Sequence, residues 1–424
     1  MRVAWFSPLP PVRSGIAAYT SEVVPRFSSE FSVDCYSEAE AHDFVWRAKR
    51  EPYELVVYQL GNAPCHDYMW AYLAAYPGLV VLHDARLHHA RARLLLSKRR
   101  FDDYRAEFRF DHPDAPVGVE EYAVEGLGGP IYYLWPMLGV VMRTARMVAV
   151  HNEWVAADLR TQFPGVAIEV IPMGVPGTEV SASGTRARLG LSPGAVVFAV
   201  FGKITAEKRI APILRVFGGL IPASPDACLL LVGDATGYPT LQDEINALGL
   251  TEHVRITGHV ADEEIGSYLA IADVCLCLRW PTALETSASW LRCLAAGRPT
   301  VVTSLAHLTD VPTLDPRDWR CSSSTDAPVA VTIDLMDEDR ALAMALQRLV
   351  GDVGLLDELA RNGERYARSH HSMGAMVNAY ERVLRLAAGR EVPVPRANLP
   401  AHFVEDYSGH ALAILRRFDL DALW

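Results

Sequence analysis

What the chain lacks narrows its identity first. Nowhere in its 424 residues is there a stretch near the roughly 18 to 20 uninterrupted apolar residues of a membrane-spanning helix. The N-terminus, Met1-Arg2-Val3-Ala4-Trp5-Phe6, runs straight into a strand pattern with no signal-peptide n-region and h-region. Basic residues are outnumbered: 40 Lys and Arg against 51 Asp and Glu leave a net charge of −11, which argues against a nucleic-acid partner. The cysteines number seven, an odd count, and none forms a C-x-x-C pair. Cys275 and Cys277 lie two apart in an apolar run and read as same-face strand residues. Such thiols suit a reducing cytoplasm, not a disulfide framework or a zinc site. No strand leads into G-x-G-x-x-G with a downstream acid, so an NAD-dependent enzyme is the least favoured class. Repeats of 20 to 50 residues and low-complexity segments are absent.

What is present is an ordinary globular composition, 50% hydrophobic and 21% charged, in a length that suits two or three domains. Short apolar runs alternate with longer amphipathic ones, the pattern of a parallel sheet covered by helices. The first half predicts strands at Val3–Phe6, Ser32–Tyr36, Leu55–Leu60, Leu79–His83, Met147–His151 and Ile168–Ile171. Helices are expected near Ala17–Phe27, His66–Ala75, Leu87–Lys98, Ile131–Met142 and Glu153–Gln162. The second half restarts with Val196–Phe201, Cys228–Val232, Val254–Thr257, Val274–Leu278 and Thr300–Thr303. Turn-formers at Pro172–Gly177 and Ser181–Gly184 separate the halves, giving domains at 1–176 and 185–388. The irregular, charged stretch Phe101–Gly129 reads as a mobile insertion. Ala341–Ala388 reads as helical, broken near Gly351–Gly354 and His370-His371-Ser372. Residues 389–424 read as a linker, Val392–Pro395, and a last amphipathic helix, Tyr407–Trp424. Ligands of open α/β sheets bind at the carboxyl ends of the strands, so the cleft between the halves is the expected site.

Four segments at strand ends could carry chemistry. Ser7–Ala17 places Gly15 just before a helix, where backbone N–H groups and the helix's positive end suit a phosphate or sugar; a plain strand-to-helix turn is an equal reading. Phe201–Arg209 puts three cations at the start of the second domain's first helix, and Lys203 and Lys208 could converge there on a diphosphate. In Arg279–Ala288, Thr286 and Ser287 are good helix caps, and Glu285 could accept hydrogen bonds from sugar hydroxyls, although an acidic first turn is also ordinary. The run Leu82–His89 contains His83 and Asp84, and the neighbouring Tyr58–Asp67 contains Asn62 and His66. Lacking H-E-x-x-H spacing and a cysteine partner, these histidines are not a metal site. Arg86, Arg91, Arg93, Lys98, Arg99 and Arg100 form a basic segment that reads first as a solvated helix face and second as a weak peripheral contact with anionic membrane. Asp337-Glu338-Asp339 and Asp419-Leu420-Asp421 are D-x-D patterns best read as surface charge.

Together these segments resemble the retaining nucleotide-sugar glycosyltransferases of family 4. The order and spacing also fit that family at Val148-Ala149-Val150-His151, Val170–Val175, Leu230–Asp234, Val254–Gly258 and Pro281–Pro299. The resemblance covers Met1 to about Arg385. It implies the GT-B fold: α/β, with two Rossmann-like domains whose parallel sheets face across a cleft, and a C-terminal helix crossing back to the first domain. It implies a nucleoside-diphosphate sugar held mainly by the second domain, a hydroxyl acceptor held mainly by the first, and neither cofactor nor divalent metal.

Residue by residue, the resemblance implies that Gly15 and Gly202 face the donor and that His83 contacts the transferred sugar. Lys203 and Lys208 would hold the diphosphate. Glu285, Thr286 and Ser287 would bind sugar and distal phosphate, with Ile256 also on the donor side. Asn62, His66 and Asp84 would lie on the acceptor side. The family's second acid is missing. Counting forward from Glu285 places it at Cys293, and counting back from Gly297 places it at Arg292, which is therefore the donor-side candidate. A phosphorylase or epimerase on the same fold, or a non-catalytic sugar-binding protein, stays open as an alternative.

Overall fold

Near-continuous apolar runs form strands buried on both faces; in Leu55–Leu60 all six residues are buried. The computed structural model describes residues 1–177, 184–394, 399–405 and 408–420. The chain divides into two units. One comprises Met1–Ile171, Ala283–Thr286 and Val377–Trp424, the other Pro172–Thr282 and Ser287–Met376.

In the first unit the order is β1 (Arg2–Phe6), α1 (Gly15–Val23), β2 (Ser32–Tyr36), α2 (Ala41–Arg50), β3 (Leu55–Leu60), α3 (Met69–Ala75) and β4 (Leu79–Leu82). There follow α4 (His88–Ser97), α5 (Phe101–Asp111), α6 (Val119–Val124), α7 (Ile131–Leu134), α8 (Gly139–Thr144), β5 (Met147–Val150), α9 (Glu153–Gln162) and β6 (Ile168–Val170). The six strands are parallel in the order β2-β1-β3-β4-β5-β6. The chain winds outward from β1 to β2, then returns to β3 on the other side of β1. The switch point of this sheet therefore lies between β1 and β3, the place where ligands of such sheets bind.

The second unit runs α10 (Thr185–Arg188), β7 (Val197–Phe201), α11 (Ile210–Leu220), β8 (Cys228–Val232), α12 (Leu241–Ala247), β9 (Val254–Ile256), α13 (Asp262–Ile271) and β10 (Val274–Cys277). It continues with α14 (Ala288–Ala295), β11 (Thr300–Thr303), β12 (Thr313–Leu314), β13 (Ala330–Ile333), α15 (Glu338–Gly351) and α16 (Val353–His370). Its seven strands are ordered β12-β13-β11-β10-β7-β8-β9, so here the switch point lies between β7 and β10. The helix α17 (Met373–Ala388) begins in this unit, and α18 (Ala401–Val404) and α19 (Ser408–Arg416) complete the described helices.

Several expectations need correction. Phe101–Gly129 is built on α5 and α6 and is anchored, with Tyr104 and Phe108 fully buried in a cluster with Leu95 and Met137. The charge that made it look irregular is spent on ion pairs: Arg105 with Asp102 and Glu121, Arg109 with Glu120. Ile131–Met142 is two helices, because the stretch around Pro136 cannot continue one. The helix α2 and the strands β12 and β13 were not foreseen. The expected boundaries, 176 and 388, also differ from the observed division at Ile171 and Met376. The later part of α17 belongs to the first unit: Tyr380 is fully buried, its hydroxyl 2.8 Å from that of Tyr19 and its ring 5.4 Å from Trp5. Residues 181–183 of the expected seam, Pro395 of the linker, and Tyr407 and 421–424 of the expected last helix lie outside the described residues.

Candidate functional site

At the switch point of the second unit, Gly202 follows β7 with φ +89°, a turn that favours glycine. Its N–H donates to Val232 O at 2.9 Å, and Ile204 N donates to Asp234 O at 2.8 Å, tying the loops after β7 and β8 together. The approach is close: a Cβ on Gly233 would stand 2.1 Å from Gly202 O. On the other side, Trp280 N donates to Glu207 O at 2.7 Å, joining the loop after β10 to the same turn.

Three cations sit in this loop, and the structure gives them different tasks. Arg209, at the start of α11 with φ +60°, is held at two points by the carboxylate of Glu338, its Nε 2.8 Å from Oε1. It is a brace. Lys208 ends a single 3₁₀ turn, Ala206–Lys208, and its ammonium donates to Phe201 O at 2.5 Å beside Gly202. Lys203 lies over Gly237, its Cε 3.4 Å from where a Cβ would stand. The carboxyl of nearby Asp234 is held below its usual range by the N–H and hydroxyl of Thr236, with Lys203 adding to the effect. Gly202, Lys203 and Lys208 are thus brought together at the carboxyl ends of β7 and β8.

Ser287 caps α14, its hydroxyl accepting from Trp290 N at 3.3 Å, as the sequence predicts. Glu285 Oε2 accepts from Ala283 N at 2.9 Å, and Glu285 and Thr286 belong to the first unit. There Ala85 N donates to Ala283 O at 2.8 Å, and Leu284 packs on the first unit's core. Arg292 is paired with Asp262 at the start of α13, 3.6 Å away. Cys293 is fully buried, and contact with the Cys275 thiol, together with burial, pushes its own thiol up. Neither residue replaces the missing acid. Ile256 ends the edge strand β9, two strands from β7, and is 38% exposed.

In the first unit, Gly15 opens α1 behind the cap Ser14, whose hydroxyl accepts from Ile16 N at 3.2 Å. Nothing lies within 4 Å of a Cβ added at Gly15. The ends of β3 and β4 bring Asn62, His66, His83 and Asp84 together. Asp84 Oδ2 accepts from Asn62 N at 2.7 Å. The Asn62 carboxamide is committed to structure, its Nδ2 donating to Arg86 O at 2.7 Å and its Oδ1 accepting from Ala90 N at 3.2 Å. His66 is fully buried with Nδ1 2.8 Å from Gln59 O, and its Nε2 has no hydrogen-bond partner. Burial pushes its imidazole down to about 4.

His83 faces inward. Its Nε2 is 2.7 Å from the Gln59 carboxamide and its Nδ1 3.2 Å from His151 Nε2, so both ring nitrogens are engaged. His151 Nδ1 is 2.9 Å from Ile171 O. Gln59, Tyr19, His151 and Tyr380 were not singled out as site residues. Gln59 did leave a signal: it is the one carboxamide in an otherwise apolar six-residue run.

Three cations of the basic segment are spent on internal partners, while Lys98 and Arg99 are exposed. Arg91 is buried against Glu107 and lies over the Trp70 ring, Arg93 grips Asp67 at 2.8 and 2.9 Å, and Arg100 pairs with Asp103 at 2.6 Å. The acids of Asp337-Glu338-Asp339 are likewise used, Glu338 by Arg209 and Asp339 by Arg215. Among the described residues no group of three or more His, Cys, Asp or Glu is arranged to hold a metal ion, and no helix is long and apolar enough to cross a membrane.

A family model described as Glycosyl transferases group 1 matches residues 195–352, the stretch that contains the β7 turn and its lysines. Alpha-D-kanosaminyltransferase from Streptomyces kanamyceticus is 28% identical over 199 residues, 47% of this chain and 47% of that protein. The chain spans about half the length, or less, of the curated relatives it matches. A sucrose-phosphate synthase from Thermosynechococcus elongatus has the same architecture, with a TM-score of 0.64 at 14% identity over 91% of this chain and 98% of that one. HepE from Anabaena, solved with UDP and glucose, gives 0.62 at 15% identity over 91% of this chain and 100% of its own. Residues 195–352 thus match the Glycosyl transferases group 1 model, in a chain with the two parallel sheets of the GT-B fold.

Proposed function

We propose that the chain is a retaining glycosyltransferase. It moves a sugar from a nucleoside-diphosphate sugar to a hydroxyl of a glycan, glycolipid or secondary-metabolite acceptor, in the cytoplasm and without a divalent metal. One observation carries this reading: within the matched residues 195–352, Gly202, Lys203 and Lys208 gather at the switch point of the sheet, where ligands of such sheets bind. A departing diphosphate needs its charge stabilised by groups already in place, and a lysine fixed at a strand end meets that need. The same setting suits the start of α14 behind its Ser287 cap, whose first N–H groups suit a phosphate oxygen.

In this reading the second unit holds most of the donor, with Glu285 and Thr286 added from the first, which takes the acceptor. Glu285 binds sugar hydroxyls, and the leaving diphosphate's own oxygen takes the acceptor's proton, so the protein's work is positioning and charge stabilisation. Of the donor-side residues, Arg292 and Ile256 have the least support, because one is paired with Asp262 and the other ends an edge strand. A second reading, a non-catalytic sugar-binding protein, is favoured by one fact: neither Cys293 nor Arg292 supplies the second acid.

Thermal unfolding against UDP, GDP, other nucleoside diphosphates, their sugars, NAD and inorganic phosphate separates these readings. UDP is the first probe, because HepE was solved with it. A ligand at a hundred times its Kd raises stability by about 2.7 kcal/mol. Stabilisation by a nucleoside diphosphate, followed by release of that diphosphate from the sugar nucleotide when acceptor is added, supports transfer. A response to phosphate alone points to a phosphorylase, and a response to NAD removes the proposal.

A further inference from the structure

A carboxamide buried in a central strand is costly unless each of its polar atoms is bonded. Gln59 is fully buried on β3, so both ends of its carboxamide need a partner. One fixed acceptor starts the chain. The carbonyl of Ile171 can only accept, so His151 Nδ1 carries the hydrogen in their 2.9 Å contact. Burial pushes the His151 imidazole down to about 4, which leaves it neutral with a lone pair at Nε2. The 3.2 Å contact with His83 then requires Nδ1–H on His83. Burial lowers His83 well below its usual value too, so its Nε2 is also a lone pair and needs a donor.

What lies 2.7 Å from that lone pair is the Oε1 position of Gln59, and an oxygen there could only accept, so the end that faces His83 has to be the NH₂. The oxygen and nitrogen of a carboxamide are told apart by their partners. With its NH₂ toward His83, Gln59 turns its carbonyl to Tyr380, whose hydroxyl lies 3.3 and 3.4 Å from the two amide termini. Tyr380 donates to that carbonyl and accepts from Tyr19 at 2.8 Å. Every group is then paired and none is charged. The opposite amide orientation would require a buried imidazolium. The titratable groups that surround the two rings are Tyr19 on α1, His66 after β3 and Tyr380 on α17, and none is a carboxylate. The neighbouring Asp84 directs its carboxylate to Asn62 N.

We infer that Gln59 is a positioning residue: it holds His83 as the Nδ1–H tautomer with both ring nitrogens committed, so that His83 braces the carboxyl end of β4 and carries no proton during turnover. Only the kinetic part of the test rests on the transferase reading. Histidine ¹⁵N spectra of the full chain at neutral pH, assigned with His83→Gln and His151→Gln, should show a protonated Nδ1 and a bare Nε2 at both positions. Gln59→Glu puts an acceptor where a donor stood and calls for hydrogen on both His83 nitrogens. Its kcat should therefore gain an ionisation between about pH 6 and 8 that the wild type lacks. Gln59→Leu, which leaves the lone pair unanswered, should lower kcat on the order of tenfold to a hundredfold with a smaller change in donor KM.

An Nε2–H tautomer at His83 overturns the inference. So do folded Gln59→Glu and Gln59→Leu chains with wild-type kcat and pH profile. If the wild type transfers no sugar and responds to no nucleoside diphosphate, the transferase reading fails, and the spectra alone decide the relay.

Discussion

The ammonium of Lys208 donates to the carbonyl oxygen of Phe201, the last residue of β7, at 2.5 Å. A strand end is the most rigid anchor the unit can give a flexible side chain, and this one holds a charge at the switch point. Lys208→Ala should lower turnover by about 10²–10³ if the lysine stabilises a leaving diphosphate. Steady-state rates and donor isotherms check it; unchanged rate and unchanged affinity together remove Lys208 from the site.

Arg209 should behave differently from its neighbour. It occupies a left-handed backbone conformation and is gripped by Glu338, 129 residues away. Glu338→Ala leaves the guanidinium without its partner and should cost about 1–3 kcal/mol of stability. Urea denaturation measures the loss, and saturating donor should restore part of it, because the same loop would be held by the ligand.

Two glycines make a contrasting pair. Gly233→Ala forces a Cβ to 2.1 Å from Gly202 O, which the backbone cannot relieve without moving the β7 turn. A loss of at least about 2 kcal/mol is expected, with weaker nucleotide binding. Gly15→Ala meets nothing within 4 Å and should leave stability within about 0.5 kcal/mol. If the loop after β1 faces the donor, Gly15→Ala nonetheless weakens donor binding, and calorimetry on a chain of unchanged Tm would reveal that.

Acid should unfold this protein early. Burial pushes His66, His88 and His151 down to about 4 and lowers His83 well below its usual value. A histidine with a depressed pKa in the fold contributes stability that is complete above its unfolded pKa of about 6.5 and is lost as pH falls below it. Each such group removes roughly 1.4 kcal/mol per pH unit between about 6.5 and 4. Urea midpoints should therefore fall clearly from pH 7 to pH 5. Equal midpoints at the two values would show that these rings are not held neutral.

The strand ends were readable because a parallel strand buried on both faces is a short apolar run, and each run stops where the chain meets solvent. Gly202, Lys203 and Lys208 could be placed on that basis, as could the Ser287 cap, a local interaction three residues long. Arg209 looked equivalent to the two lysines because its partner Glu338 is remote in sequence. His83 looked available for the same reason: what engages its nitrogens comes from β3 and from the residue after β5. The insertion between β4 and β5 looked loose because its ion pairs, such as Arg91 with Glu107, join separate helices.

By itself the amino-acid order determined the alternation of strand and helix, the two sheets and the positions at which polar groups leave the strands, all of which follow from local periodicity and capping. The tertiary structure alone decided which of those groups are spent on internal partners. Whether Arg209 or His83 is spent internally depends on strand order and on contacts across dozens to hundreds of residues, and a local pattern carries no record of either.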